Sequence, residues 1–107
     1  MNIKSNNPIK NMTAITGLYN VIDPEIGLNI VDLGLVYQID FDVEKKEIVV
    51  TMTLTTQFCP MGETIVASTT QAMEQSFPEE KIQVNLTFDP AWDQEMISEE
   101  GRIFLNY

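Results

Sequence analysis

The sequence predicts an α+β fold: a two-layer sandwich in αββαβ order, with a small mixed sheet covered on one side by helices. Three observations predict it. Three segments alternate apolar and polar residues with period two, and each shows one apolar face. Two longer segments repeat apolar residues at helical spacing. Proline, glycine and charged turns separate these segments in the order helix, strand, strand, helix, strand, with a small element after them.

Residues 1–8, MNIKSNNP, are polar and rich in turn formers, and are expected as a flexible N-terminal tail before a single domain over 9–107. A helix is expected from Ile9 to Ile22, with Met12, Ile15, Leu18 or Tyr19, and Ile22 sharing its apolar face. Asn7 is its expected cap and Pro8 fits the first position, where a missing N–H costs nothing. Gly17 weakens it by ~1 kcal/mol relative to alanine. Asp23-Pro24 ends it, since a residue before proline is pushed out of the helical region.

Residues 23–34, DPEIGLNIVDLG, mix turn formers with apolar residues and should fold back over the core. A strand follows, with Tyr37, Ile39, Phe41 and Val43 inward and Gln38, Asp40 and Asp42 outward. The charged turn Glu44–Glu47 makes it an antiparallel hairpin with residues 48–55. There Ile48, Val50, Met52 and Leu54 alternate with Val49, Thr51, Thr53 and Thr55.

The period then changes. Ile65, Thr69, Ala72, Met73 and Ser76 or Phe77 recur at helical spacing over 61–77, and Pro78 stops that helix. Ile82, Val84, Leu86 and Phe88 mark the third strand. Trp92 to Ile97 reads as a short helix, Gly101 as its stop, and Ile103 to Leu105 as a final extended piece. With so few strands, the exposed sheet face or edges leave self-association as a homodimer open.

The totals exclude several functions. The chain has 107 residues, 16 acidic side chains against 6 basic ones, and a formal net charge of −10. That leaves no basic footprint for nucleic acid and disfavours anionic membrane surfaces. No stretch approaches the ~18 apolar residues of a membrane helix. A single cysteine rules out an intrachain disulfide, so a reducing, cytoplasmic compartment is expected. The chain has no histidine. A Cys–His nucleophile pair is therefore impossible within it, as is a Cys/His zinc site or a four-cysteine cluster site in one copy. Any metal centre must borrow ligands from a second copy, a partner or a small thiol.

The one cysteine, Cys59, falls in the loop between the second strand and the second long helix, with Pro60 fitting a first helical position. Free N–H groups and the positive end of the helix dipole favour a thiolate there. Glu63 in the first turn opposes it, and burial by Phe58 and Met61 would too. A buried structural cysteine is the competing reading. Thr55 and Thr56 arrive beside Cys59, where their hydroxyls can donate to a thiolate; ordinary β-propensity explains threonine equally well. Asp23 and Glu25 pair carboxylates suited to proton transfer or to holding a metal, although from spacing alone they read more simply as helix termination and surface charge.

Three blocks, VIDPEIGLNIVDLGLVY (21–37), TLTTQFCP (53–60) and FDPAWDQEMISEEGRIFL (88–105), resemble the SufT/PaaD-like metal–sulfur cluster biosynthesis proteins, and follow that family's order. The resemblance implies a fold shared with iron–sulfur cluster assembly domains. It implies an accessory or targeting factor in iron–sulfur protein maturation, not an enzyme with turnover. The family's functional cysteine falls on Cys59, its acidic pair on Asp23 and Glu25, and its threonines on Thr55 and Thr56. Family members often carry glycine just before the cysteine; here Phe58 stands there. No cofactor is expected to be stably bound. With one cysteine per chain, a cluster or iron held at Cys59 would be transient or shared. The expected partners are the iron–sulfur assembly machinery and client apoproteins.

Two further readings stay open. One is a non-catalytic interaction adaptor in which Cys59 is structural and the acidic surface or the Trp92 groove docks a client. The other is PaaD-like service to one multicomponent oxygenase, although PaaD-type chains tend to be longer, with extra C-terminal cysteines that are lacking here. A thiol enzyme would need a carboxylate base and backbone N–H groups as its oxyanion stabiliser, because histidine is absent.

Overall fold

The hydrophobic core lies between a four-stranded sheet and two long helices packed side by side on one of its faces. The computed structural model describes residues 3–56 and 62–106. In chain order the elements are β1 (Lys4–Ser5), α1 (Pro8–Leu18), α2 (Ile30–Leu33), β2 (Val36–Asp42), β3 (Glu47–Met52), α3 (Gly62–Ser76), β4 (Lys81–Leu86), a 3-10 turn (Gln94–Met96) and α4 (Glu99–Leu105). The strand order is β1-β2-β3-β4. β1 runs parallel to β2, β2 and β3 form the antiparallel hairpin, and β4 runs parallel to β3. The architecture is the α+β sandwich over a small mixed sheet that the sequence predicts.

The inward side chains of the hairpin are Ile39 and Phe41 on β2 and Ile48, Val50 and Met52 on β3, all buried. They face Ala14 and Leu18 of α1 and Ile65, Thr69 and Met73 of α3, also buried. Phe41 meets Phe77 edge to face, with ring centroids 5.7 Å apart. The opposite sheet face carries Gln38, Asp40, Thr51, Gln83 and Asn85, with Gln38 bonded to Asp40 along β2.

Several expectations need correction. Residues 1–8 are not wholly a tail: Lys4–Ser5 pair with β2, the Asn6 side chain bonds both backbone groups of Phe41, and Asn7 caps α1. α1 ends at Leu18, four residues earlier than expected, because the chain turns there to pair Ile22 with Asn29. Its inward face is Ala14 and Leu18; Met12 is 72% exposed and Ile22 49%.

β2 contains an irregularity between Val36 and Gln38. The extra residue, Tyr37, shifts the alternation, so that Val36 is buried while Tyr37 is only half-buried. At the far end Val43 is exposed in the hairpin turn.

The C-terminal piece is a helix and not an extended segment. Ser98 caps α4, accepting from the Gly101 N–H at 3.0 Å. Gly101 lies buried inside this helix. A Cβ on it would come within 2.8 Å of Ile97 Cγ2 and 3.2 Å of the Asp32 carbonyl. Here glycine permits close packing and does not stop a helix.

Candidate functional site

Asp23 and Glu25 sit in one tight turn. Asp23 is buried, 1% exposed, and its Oδ1 accepts from the Glu25 N–H at 2.9 Å. Its backbone carbonyl accepts from Gly27 at 2.7 Å and Ile26 at 3.3 Å, and its N–H donates to Leu28 at 3.0 Å. Gly27, at φ +82°, supplies the left-handed conformation that closes the turn. The Asp23 carboxylate is thus built into the turn, whereas Glu25 is exposed. The hydrogen bonds seen at Asp23 stay within residues 23–28.

The turn is followed by a second anchored segment. Asn29 caps α2, and Gly34 closes it at φ +80°, where a Cβ would run into the Met96 carbonyl. Asp32 accepts from Ser98 Oγ at 2.8 Å and Asn29 Nδ2 at 2.7 Å. Trp92 Nε1 donates to the Leu33 carbonyl at 2.7 Å. These bonds clamp residues 89–101 onto α2. Trp92 packs half-buried against the core. Arg102 does not pair with an adjacent acid; it donates to the carbonyls of Ile97 and Gln94 and so caps the 3-10 turn.

Thr55 and Thr56 continue from β3 into the loop, Thr55 half-buried and Thr56 exposed. Just before them Thr53 is fully buried, its N–H bonded to the Leu35 carbonyl at 2.8 Å. Cys59, with its neighbours Phe58 and Pro60, lies outside the described residues. The described residues resume at Gly62, the first residue of the 15-residue α3. A Cβ on Gly62 would meet Leu54 Cδ1 at 2.8 Å, so glycine lets the helix start tight against the strand end. Beside this junction runs an open, mainly apolar groove of about 450 Å³, lined by Leu54, Gly62, Glu63, Val66, Ala67 and Leu86.

The structure therefore brings Asp23 and Glu25 into one turn, while Thr55 and Thr56 directly follow the Thr53–Leu54 segment at the end of β3. Among the described residues no group of three or more cysteine, aspartate or glutamate side chains can hold a metal ion.

One polar cluster escapes sequence reasoning. The Tyr37 hydroxyl donates to the Pro90 carbonyl at 2.9 Å and approaches Met96 Sδ at 3.6 Å. Burial pushes its phenol pKa up, against a smaller downward pull from Thr53. Tyr37 looks like any inward strand residue in the sequence, and the irregularity in β2 turns it toward Pro90 and Met96. Tyr19, at the end of α1, is also raised, by burial and then by the nearby carboxylates of Asp32 and Glu100. Among the described residues no helix is long and apolar enough to cross a membrane.

Comparison with known proteins agrees with this architecture. A crystal structure of a domain of unknown function from Bacillus anthracis superposes with a TM-score of 0.84 at 37% identity, covering 94% of this chain and 98% of that one. A protein of Porphyromonas gingivalis called an Fe-S protein maturation auxiliary factor is 37% identical over 90 residues, 84% of this chain and 85% of its own. The Staphylococcus aureus Fe-S protein maturation auxiliary factor SufT is 38% identical over 85 residues, 79% of this chain and 96% of its own. Residues 13–86 match the family model described as iron–sulfur cluster assembly protein, a span that runs from α1 through β4 and includes the Asp23 turn, the hairpin and Cys59. The chain belongs to the iron–sulfur cluster assembly protein family.

Proposed function

We propose that this protein is an accessory factor in iron–sulfur protein maturation, acting in the cytoplasm without catalytic turnover of its own. The observation that carries the reading is the junction between β3 and α3. Five residues connect Thr56 to Gly62, and Cys59 is the middle one. A thiol in that connection lies within a few residues of free N–H groups at a helix start, which favour its thiolate form. The names of the relatives support the maturation role, and their description as auxiliary factors supports a non-catalytic one.

In this reading Cys59 is a thiolate ligand or transfer point for cluster or iron in transit. The cluster is cargo, and its remaining ligands come from a second chain, a client apoprotein or the assembly machinery, because this chain has no second cysteine. Thr55 and Thr56 supply hydroxyls at the loop entry. Asp23 holds its turn in shape, and the exposed Glu25 is the member of the acidic pair able to meet iron or a partner.

A second reading is favoured by the apolar groove beside the loop, which suits docking without thiol chemistry. One experiment separates the two. In a host lacking its own copy, wild type, Cys59→Ala or an empty vector is supplied, and a cluster-dependent dehydratase is assayed beside a cluster-free enzyme. Restoration by wild type alone, at equal protein levels, is the expected result. Equal restoration by Cys59→Ala would sink the thiolate role and leave a docking adaptor.

A further inference from the structure

We propose that the free edge of β4, with the groove between it and α3, docks an extended segment of another protein as an added strand of the sheet. The segment is apolar at alternate residues and basic at its ends. β4 is the last strand of the sheet and pairs only with β3. The Lys81 N–H donates to the Lys46 carbonyl at 2.8 Å, and the Thr87 N–H to the Met52 carbonyl at 2.9 Å. Backbone groups alternate sides along a strand, so Lys81, Gln83, Asn85 and Thr87 face β3. Ile82, Val84 and Leu86 turn their N–H and C=O groups away from it, and among the described residues these groups take no backbone partner. The opposite edge is closed. There Lys4–Ser5 pair with β2, and the Asn6 side chain bonds both the N–H and the carbonyl of Phe41. β4 has none of the usual guards of an edge. It pairs with β3 without a bulge, contains no proline or glycine, and carries no charge between Ile82 and Leu86.

The chemistry of this surface selects the occupant. A row of donors and acceptors repeating every ~7 Å is matched by one kind of ligand, another extended backbone. On the helix side of the edge lies the groove of about 450 Å³, with Leu54, Val66, Ala67 and Leu86 as its apolar lining and Leu86 44% exposed. Apolar side chains at every second residue of an added strand would enter it. Those between them would lie beside Gln83 and Asn85, which bond each other at 3.0 Å on the other sheet face. Glu63 is the charged residue of the groove lining, and Glu74 lies on the same stripe of α3, reached through Ala67 and Thr70 at helical spacing. Lys81 stands on the other sheet face, in register with Glu47. The α3 carboxylates therefore favour lysine or arginine on the incoming segment and oppose an acidic one. They also oppose a second copy. A two-fold pairing of β4 with itself would bring the acidic stripes of two α3 helices together, in chains of net charge −10. The proposal does not depend on Cys59 carrying cargo, so its test and the complementation test can fail separately.

Peptide titration of the full chain, with amide exchange followed by NMR, tests this. The probe is a fluorescent peptide of about eight residues, alternating valine and threonine with lysine at each end, enough to span the 6 residues of β4. It should bind saturably with a Kd between about 10 and about 500 µM. Binding should slow amide exchange at Ile82, Val84 and Leu86, which in the free chain exchange faster than Gln83 and Asn85. The same peptide methylated on every backbone nitrogen should not bind, and one with glutamate at each end should bind at least about fivefold more weakly. Val84→Pro removes an outward N–H and leaves the pairing with β3 alone, and Ala67→Phe fills the groove. Each should weaken binding at least about fivefold with an unchanged circular dichroism spectrum, and Ile103→Glu should leave it unchanged. Absence of saturable binding up to about 1 mM overturns the proposal. So does binding that the methylated peptide retains, or that neither Val84→Pro nor Ala67→Phe weakens. A chain that sediments as a dimer at the titrated concentrations, and as a monomer with Val84→Pro, overturns it in favour of a second copy at the edge.

Discussion

The two long helices, α1 and α3, lie on the same face of the sheet and touch each other, yet their outer surfaces are opposites. α3 shows solvent Glu63, Thr64, Ala67, Gln71, Glu74 and Gln75, the polar face expected of a helix that ends its role at the core. α1 shows Ile9, Met12, Thr13 and Thr16. Their inner surfaces differ as well. α3 buries Ile65, Thr69 and Met73, the stripe its sequence predicts. α1 buries Ala14 and Leu18, and approaches α3 through Gly17. Apolar spacing thus finds a helix face, but close approach between helices is decided by small residues, and larger apolar residues such as Met12 can be left outside.

The sharpest way to break this comparison is to truncate one fully buried side chain on each helix. Leu18 and Met73 are both 0% exposed. Leu18→Ala and Met73→Ala should each destabilise the fold by about 2–5 kcal/mol, read as a lower urea midpoint with an unchanged slope. A Leu18→Ala effect under about 1 kcal/mol would mean that α1 is held by its other face.

The helix–helix contact offers a finer test. A Cβ on Gly17 would stand 2.6 Å from Ser76 Oγ and 3.7 Å from the Ala72 carbonyl. Gly17→Ala meets one hydroxyl that can rotate away, and gains up to ~1 kcal/mol of helix propensity, so it should be nearly neutral. Gly17→Val adds two methyl groups at the same contact and should cost about 1–3 kcal/mol in thermal or chemical unfolding. A neutral Gly17→Val would show that the two helices have room to separate.

This contrast also explains what was legible in the sequence. β3 and α3 could be read because one period holds over each of them and a turn or proline bounds it. Leu18 stands in the expected apolar stripe of α1, but Ala14 and Gly17 do not, because hydrophobicity ranks methionine and isoleucine above small residues whose value is steric. The irregularity at Tyr37 carries no residue signature. The cap of α4 did carry one: Ser98 precedes Glu99 and Glu100, acids suited to a first turn, but Gly101 reads as a stop until its neighbours Ile97 and Leu28 are seen. Of the candidate site, the buried turn around Asp23 was visible as turn chemistry. Glu25 being exposed while Asp23 is buried was not, because both are acids beside one proline and only the Asp23 Oδ1 bond to the Glu25 N–H tells them apart.

The smallest expected effect is the most discriminating for the face of α1. Met12 is 72% exposed and its side chain supports no described core residue. Met12→Gln keeps the length and the helix propensity of the side chain while removing its apolar surface. The change in unfolding free energy should lie within about 0.5 kcal/mol. If α1 instead turned Met12 toward the sheet, the same substitution would bury an unpaired amide and cost about 1–3 kcal/mol. A near-zero value therefore does more than confirm exposure. It removes monomer folding as the reason for an apolar side chain at position 12.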